Sequence, residues 1–143
     1  MNAVTVDTST PAEAPPATVL VVDDNRVVTR ALASLLRDAG FTPFACHSGA
    51  DAMAYAAENP PAAAVVDIHL PDMNGLVLSQ KLRERFGPHT PIVVVSGDTS
   101  METIMSLPHV GATYFFPKPV NSSLLLERLR ELVENSANRE CAQ

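Results

Sequence analysis

The sequence predicts an α/β fold: a doubly wound, five-stranded parallel sheet with helices on both faces. Three observations carry this. Short continuous runs of aliphatic and β-branched residues recur along the chain, as strands buried on both faces require. Between them lie segments whose apolar residues repeat at helical spacing and stop at glycine or proline. The connections are short, so successive strands are joined through crossover helices and run parallel.

Val19 to Val22 is the first such run, and it stops abruptly at Asp23-Asp24. Val27, Val28, Ala31, Leu32, Leu35 and Leu36 follow at helical spacing up to Gly40, a residue suited to the left-handed conformation that ends a helix. Thr42 to Cys46 reads as the second strand. Ser48 caps a helix carrying Ala50, Met53, Ala54 and Ala57, which Pro60-Pro61 stops. Ala63 to Ile68 makes a third strand, followed by a turn around Pro71 and a helix from Gly75 to Phe86. Ile92 to Val95 is the fourth strand, ending at Ser96-Gly97. A helical stretch from Ser100 to Leu107 comes next, cut short by Pro108, because a mid-helix proline removes a donor and clashes with the preceding turn. Ala112 to Phe116 is the fifth strand, and Asn121 caps a last helix with Leu125, Leu129, Leu132 and Val133 on one face. Residues 18–135 form the predicted domain, between a disordered leader at 1–17 and a polar tail at 136–143.

Composition narrows the function. The 143 residues suit one domain, and 46% hydrophobic against 18% charged residues supply a real core. A net charge of −6 opposes attraction to nucleic-acid backbones and to anionic membrane, so neither partner is expected. No apolar run approaches the ~20 residues of a membrane span. The N-terminus has neither the basic start nor the apolar block of a signal peptide. Cys46 and Cys141 make no disulfide framework, which suits a reducing, cytoplasmic setting.

In doubly wound sheets, ligands bind beyond the carboxyl ends of the strands. Those ends carry Asp23-Asp24, Asp67, Ser96 and, after the fifth strand, Lys118-Pro119. Asp23-Asp24 taken alone can be read as a helix cap. Together with Asp67, the carboxylates repel one another unless a cation sits among them, and an oxygen-rich site with few protein ligands suits Mg²⁺. A hydroxyl and an ammonium beside such a metal are what a tetrahedral anion needs around its oxygens, so the site looks built for phosphoryl transfer.

These residues carry a family resemblance. Val21-Val22-Asp23-Asp24-Asn25, the run from Asp67 to Gly75, Ser96-Gly97, and Gly111-Ala112 followed by Phe115 and Lys118-Pro119 resemble a response-regulator receiver domain over residues 18 to 135. The resemblance implies a flavodoxin-like receiver fold and a signalling phosphoacceptor, not an enzyme acting on a separate substrate. It places Asp67 as the phosphoacceptor, with Ser96 and Lys118 contacting the phosphoryl oxygens. Asp24, Asp67 and the His69 main-chain carbonyl fall on the Mg²⁺ ligands, and Asp23 on an acid acting through bound water. Ser96 and Phe115 match the switch pair, and Lys118-Pro119 is expected to be cis. The implied partners are a histidine kinase or histidine phosphotransfer protein and a downstream protein that binds the face of helix four, strand five and helix five. Gly97 stands where alanine is more frequent, and Pro108 and Pro117 depart from the usual pattern.

Two other readings compete. Asp67-Ile68-His69 begins the Asp-x-His-x-x-Gly pattern of cobalamin-binding domains, but Asp72 occupies the glycine position and Lys118 is then idle. A degenerate receiver used as a fixed docking module would not need all the chemical positions filled. The reading adopted is a stand-alone receiver, since too few residues follow Asn135 for an output domain. Met101, Ile104 and Met105 are the expected partner face on helix four, with about two of them buried on so short a helix.

Overall fold

The computed structural model describes residues 17–98 and 100–142, with side chains through 136. The elements are β1 (Thr18–Val22), α1 (Arg26–Asp38), β2 (Thr42–Cys46), α2 (Gly49–Glu58), β3 (Ala63–Asp67), α3 (Gly75–Phe86), β4 (Ile92–Ser96), α4 (Met101–Ser106), β5 (Tyr114–Pro117) and α5 (Ser122–Ala142). The five strands pair in parallel in the order β2-β1-β3-β4-β5, as the doubly wound reading requires. The order reverses between β1 and β3, so their carboxyl ends open onto a shared crevice.

Alternation along the strands sorts the core into two layers. Val19, Val21, Val65, Val93, Val95 and Phe116 face α1 and α5, where Leu32, Leu36, Leu125 and Leu129 meet them. Leu20, Val22, Val66, Ile92 and Val94 face the other way, onto Ala52 and Ala56 of α2 and Leu78 and Leu82 of α3. The middle strands are buried along their whole length because both faces are covered. Cys46 is a buried free thiol, pushed up to about 11 first by burial and then by the Asp51 charge, and is therefore inert.

Several boundaries differ from the sequence reading. The cap of α1 is Asn25, whose side chain accepts from the Val27 and Val28 N–H groups, so Asp23 and Asp24 are left free for other work. The fifth strand starts at Tyr114 rather than Ala112 because the residues before it form a turn: Gly111 takes a positive φ, and the Ala112 N–H bonds back to Leu107. Helix α4 ends at Ser106, and a 3₁₀ turn, Pro108–Val110, follows it, consistent with the proline. Helix α5 continues to Ala142, past Asn135, since no glycine or proline interrupts it. Ser136, placed in the tail by sequence, donates its hydroxyl to the His89 carbonyl at 2.5 Å. Ala17, placed in the leader, packs on the core; the rest of the leader lies outside the described residues. No helix among the described residues is long and apolar enough to cross a membrane.

One glycine fixes the crevice. The Gly75 N–H bonds to Ile68 O at 2.6 Å, and a Cβ on Gly75 would lie 2.0 Å from Asp67 O, against backbone that cannot yield. Gly97 has nothing within 4 Å of the equivalent position. Gly75→Ala is therefore expected to lower stability by about 1–3 kcal/mol through overpacking. Gly97→Ala should change it by under ~0.5 kcal/mol. Urea unfolding of the two variants checks the contrast, and equal costs would contradict it.

Candidate functional site

The crevice gathers side chains from the ends of β1, β3 and β5. Asp23 follows β1, with its backbone N–H on Cys46 O at 3.1 Å and its Oδ1 accepting from the Asn25 N–H at 2.9 Å. Asp67 is the last residue of β3. Both are buried, at 2% and 5% exposure, whereas Asp24 is open to solvent. Carboxylate oxygens of Asp23, Asp24 and Asp67 all lie within 4.8 Å of one another.

Lys118 closes the site from the β5 side. Its N–H bonds to Ser96 O at 2.9 Å, tying the segment after β5 to the end of β4. The Lys118-Pro119 bond is cis, as expected. The ammonium lies 3.0 Å from Asp23 Oδ2 and 3.3 Å from Asp67 Oδ1. Burial, and then the Asp23 charge, holds the Asp67 carboxyl above the usual carboxylate range, and the opposing pull of Lys118 and His69 does not cancel them. For Lys118, burial alone would depress the ammonium, but the hydrogen bond and charge of Asp23, joined by Asp67, outweigh it and raise the group.

The remaining predicted residues are placed less uniformly. The His69 ring is exposed, in the loop just past β3, and the His69 backbone pairs with that of Asn74 across the loop. Ser96 is fully buried at the end of β4, but its hydroxyl accepts the Asp98 N–H at 2.9 Å rather than meeting Asp67. Phe115 is half-buried against the α2–α3 core layer and lines a groove of about 280 Å³ with Ile104, Leu107 and Ala112.

Helix α4 corrects the sequence reading. None of Met101, Ile104 and Met105 is buried; they are 69%, 41% and 65% exposed. The buried position goes instead to Thr103, whose hydroxyl donates to Asp98 Oδ2 at 2.9 Å. Asp98 Oδ1 accepts the Ser100 N–H at 2.9 Å, and this bond first, with the Thr103 hydroxyl second, holds the Asp98 carboxyl below the ordinary range. Sequence reasoning passed over Asp98. Its signal was an acid two residues ahead of the serine that begins the helix.

Comparison with known proteins bears on the sequence and the fold that carry these residues. The family model described as "Response regulator receiver domain" matches residues 19–130. The photosynthetic apparatus regulatory protein RegA of Rhodovulum sulfidophilum is 37% identical over 105 residues, 73% of this chain and 57% of its own. The sensory/regulatory protein RpfC of Xanthomonas campestris pv. campestris is 37% identical over 118 residues, 80% of this chain and 16% of its own. Across curated relatives of this kind, the chain spans 16% to 57% of their length. A CheY-like receiver domain protein from Methanospirillum hungatei superposes with a TM-score of 0.82 at 26% identity, covering 87% of this chain and 98% of that one.

The raised Asp67 carboxyl makes a pH prediction. A group that holds its proton more tightly in the folded state contributes stability fully present below its ordinary value of 3.8, and lost as pH rises through the raised one. Asp67→Asn removes that loss. The variant is expected to resist urea better than the parent at neutral pH, with the gap closing as the pH falls below 3.8. A gap that widens in acid would contradict the sign.

Proposed function

Because the chain belongs to the response regulator receiver domain family, we propose that it takes a phosphoryl group from a phosphohistidine donor onto Asp67 and thereby switches contacts with another protein. The observation that carries this is Asp67 at the end of β3, set within 3.3 Å of a lysine ammonium and within 4.8 Å of two further carboxylates.

The residues fit a small dication. Three ionised carboxylates beside one ammonium leave two negative charges uncompensated, and the donors are all oxygen, which suits Mg²⁺. Asp24, Asp67 and the His69 carbonyl would hold it, with Asp23 acting through bound water. The metal, when bound, screens the charge of the incoming phosphoryl group.

The chain's own residues perform the rest. A carboxylate oxygen of Asp67 attacks phosphorus in line with the donor's P–N bond; the new O–P bond forms as that bond breaks, and the imidazole leaves with the electron pair and takes up a proton. Lys118, already at hydrogen-bond distance from the attacking carboxylate, neutralises a phosphoryl oxygen. Ser96 turns its hydroxyl from the loop toward another. Phe115 then packs inward beside the groove it lines, shifting the equilibrium of the face made by α4, β5 and α5. Having no hydroxyl, it is held there by packing alone. Met101, Ile104 and Met105 offer that partner an exposed, adaptable apolar surface. With a charge of −6, the surface favours protein over nucleic acid.

Acetyl phosphate with Mg²⁺ is expected to add the mass of one phosphoryl group to the protein and to shift the methyl resonances of Met101 and Met105. Asp67→Asn should take up none at the wild-type rate, and excess chelator should suppress the reaction. Phosphorylation that persists in the Asn variant would refute the acceptor. Shifts confined to the Asp67 loop would refute the switch.

A further inference from the structure

The loop at 68–74, which carries the His69 carbonyl, is fastened at more than its base. At its base, the Gly75 N–H bonds to Ile68 O at 2.6 Å. At its tip, the two oxygens of Asp72 each take one N–H from the start of α2: Oδ1 from Gly49 at 2.8 Å and Oδ2 from Ala50 at 2.9 Å. Those donors belong to the first turn of a helix and have no partner within it. The helix has its own cap in Ser48, whose hydroxyl accepts the Asp51 N–H at 3.1 Å, so Asp72 adds a tie between two elements. Met73 lies over Gly49 so closely that a Cβ there would be 2.5 Å from its sulfur. The turn before α2 is anchored on its far side as well: the His47 ring bonds to Thr29 at 3.1 Å and to Arg26 at 3.2 Å. The β2–α2 turn is thus a strut between α1, which follows the acid pair, and the loop that follows Asp67.

We propose that Asp72 is a positioning residue for the metal side of the site: it holds the loop so that the His69 carbonyl and the Asp67 carboxylate stay at the spacing a small dication requires. This rests on the receiver reading above. Mg²⁺ demands near-ideal octahedral geometry at short distances, so a loop free to drift weakens its binding even when the fold survives. The plain alternative is a helix cap that acts on stability alone.

Calorimetric titration of Mg²⁺ into the full chain, without phosphodonor, separates the two. Asp72→Ala is expected to weaken Mg²⁺ binding about three- to tenfold, at or below the ~10-fold lower bound for loss of a group bonded directly to a metal ligand. Asp72→Asn, which keeps one acceptor oxygen, should fall between it and the wild type, and carries the comparison if the alanine variant does not fold. Asp51→Ala removes an equal charge from the same helix turn without touching the loop and should leave the affinity within about twofold, since exposed charges are screened. In the wild type, the Gly49 and Ala50 amides should be protected from hydrogen exchange.

Wild-type Mg²⁺ affinity in a destabilised Asp72→Ala would reduce Asp72 to a cap and overturn the proposal. Equal weakening by Asp51→Ala would assign the effect to charge, with the same consequence. A wild-type protein that takes up no Mg²⁺ would overturn the metal-assisted phosphoacceptor reading, a result distinct from both.

Discussion

Everything at the carboxyl edge of the sheet depends on one ammonium shared by two buried carboxylates. Asp23 and Asp67 end adjacent parallel strands, and neighbouring strands run only about 4.8 Å apart. The strand order thus forces two like charges together where water is scarce. Lys118 offsets this, reaching both from the far side of β4. The arrangement is incomplete by design of its charges: the Asp67 carboxyl remains raised, and Asp24 adds a third negative group at the solvent side. That shortage of positive charge is the feature on which the proposed Mg²⁺ site rests.

The same edge is wired to the surface through β4. Ser96 touches Asp98 through its hydroxyl, Asp98 grips Ser100 and Thr103, and Thr103 is the one buried residue of α4. The Ser96 carbonyl also receives the Lys118 N–H. Ser96 therefore sits on two hydrogen-bonded routes, one into the acid cluster and one into the start of α4. A side chain so placed cannot change partners without disturbing one of them.

The fold was legible because β1, β3 and β4 are short apolar runs that stop at a polar residue, with helical periodicity in the segments between them. The acid pair, Asp67 and Lys118 could be assigned to one edge from strand ends alone, since a parallel sheet brings all its carboxyl termini together. What escaped was side-chain bonding between elements. That Asn25, not the acids beside it, caps α1 depends on which of three adjacent candidates is free, and Asp23 is already bound to Lys118. The Asp72 tie to α2 joins residues more than twenty apart, with no periodicity to announce it. The exposure of Met101, Ile104 and Met105 is not legible from hydrophobicity, because a threonine holds the buried position of α4.

Their exposure shows what kind of element α4 is. Six residues are too few to sustain a helix without outside help, since isolated helices become marginal below about 12–15 residues. The other helices are held by leucines or alanines driven into the sheet. Helix α4 is held by its ends: Asp98 and Ser100 at its start, and beyond it a turn pinned where the Arg83 guanidinium donates to Gly111 O at 2.7 Å. Polar ties of this kind contribute about 0.5–1.5 kcal/mol each and can be exchanged for new ones. Moving a buried leucine would instead cost about 2–5 kcal/mol in lost packing. Of the large apolar side chains exposed among the described residues, three lie on α4, against one each on α1 and α3. The helix with the most apolar surface to offer a partner is therefore also the one whose displacement disturbs the core least.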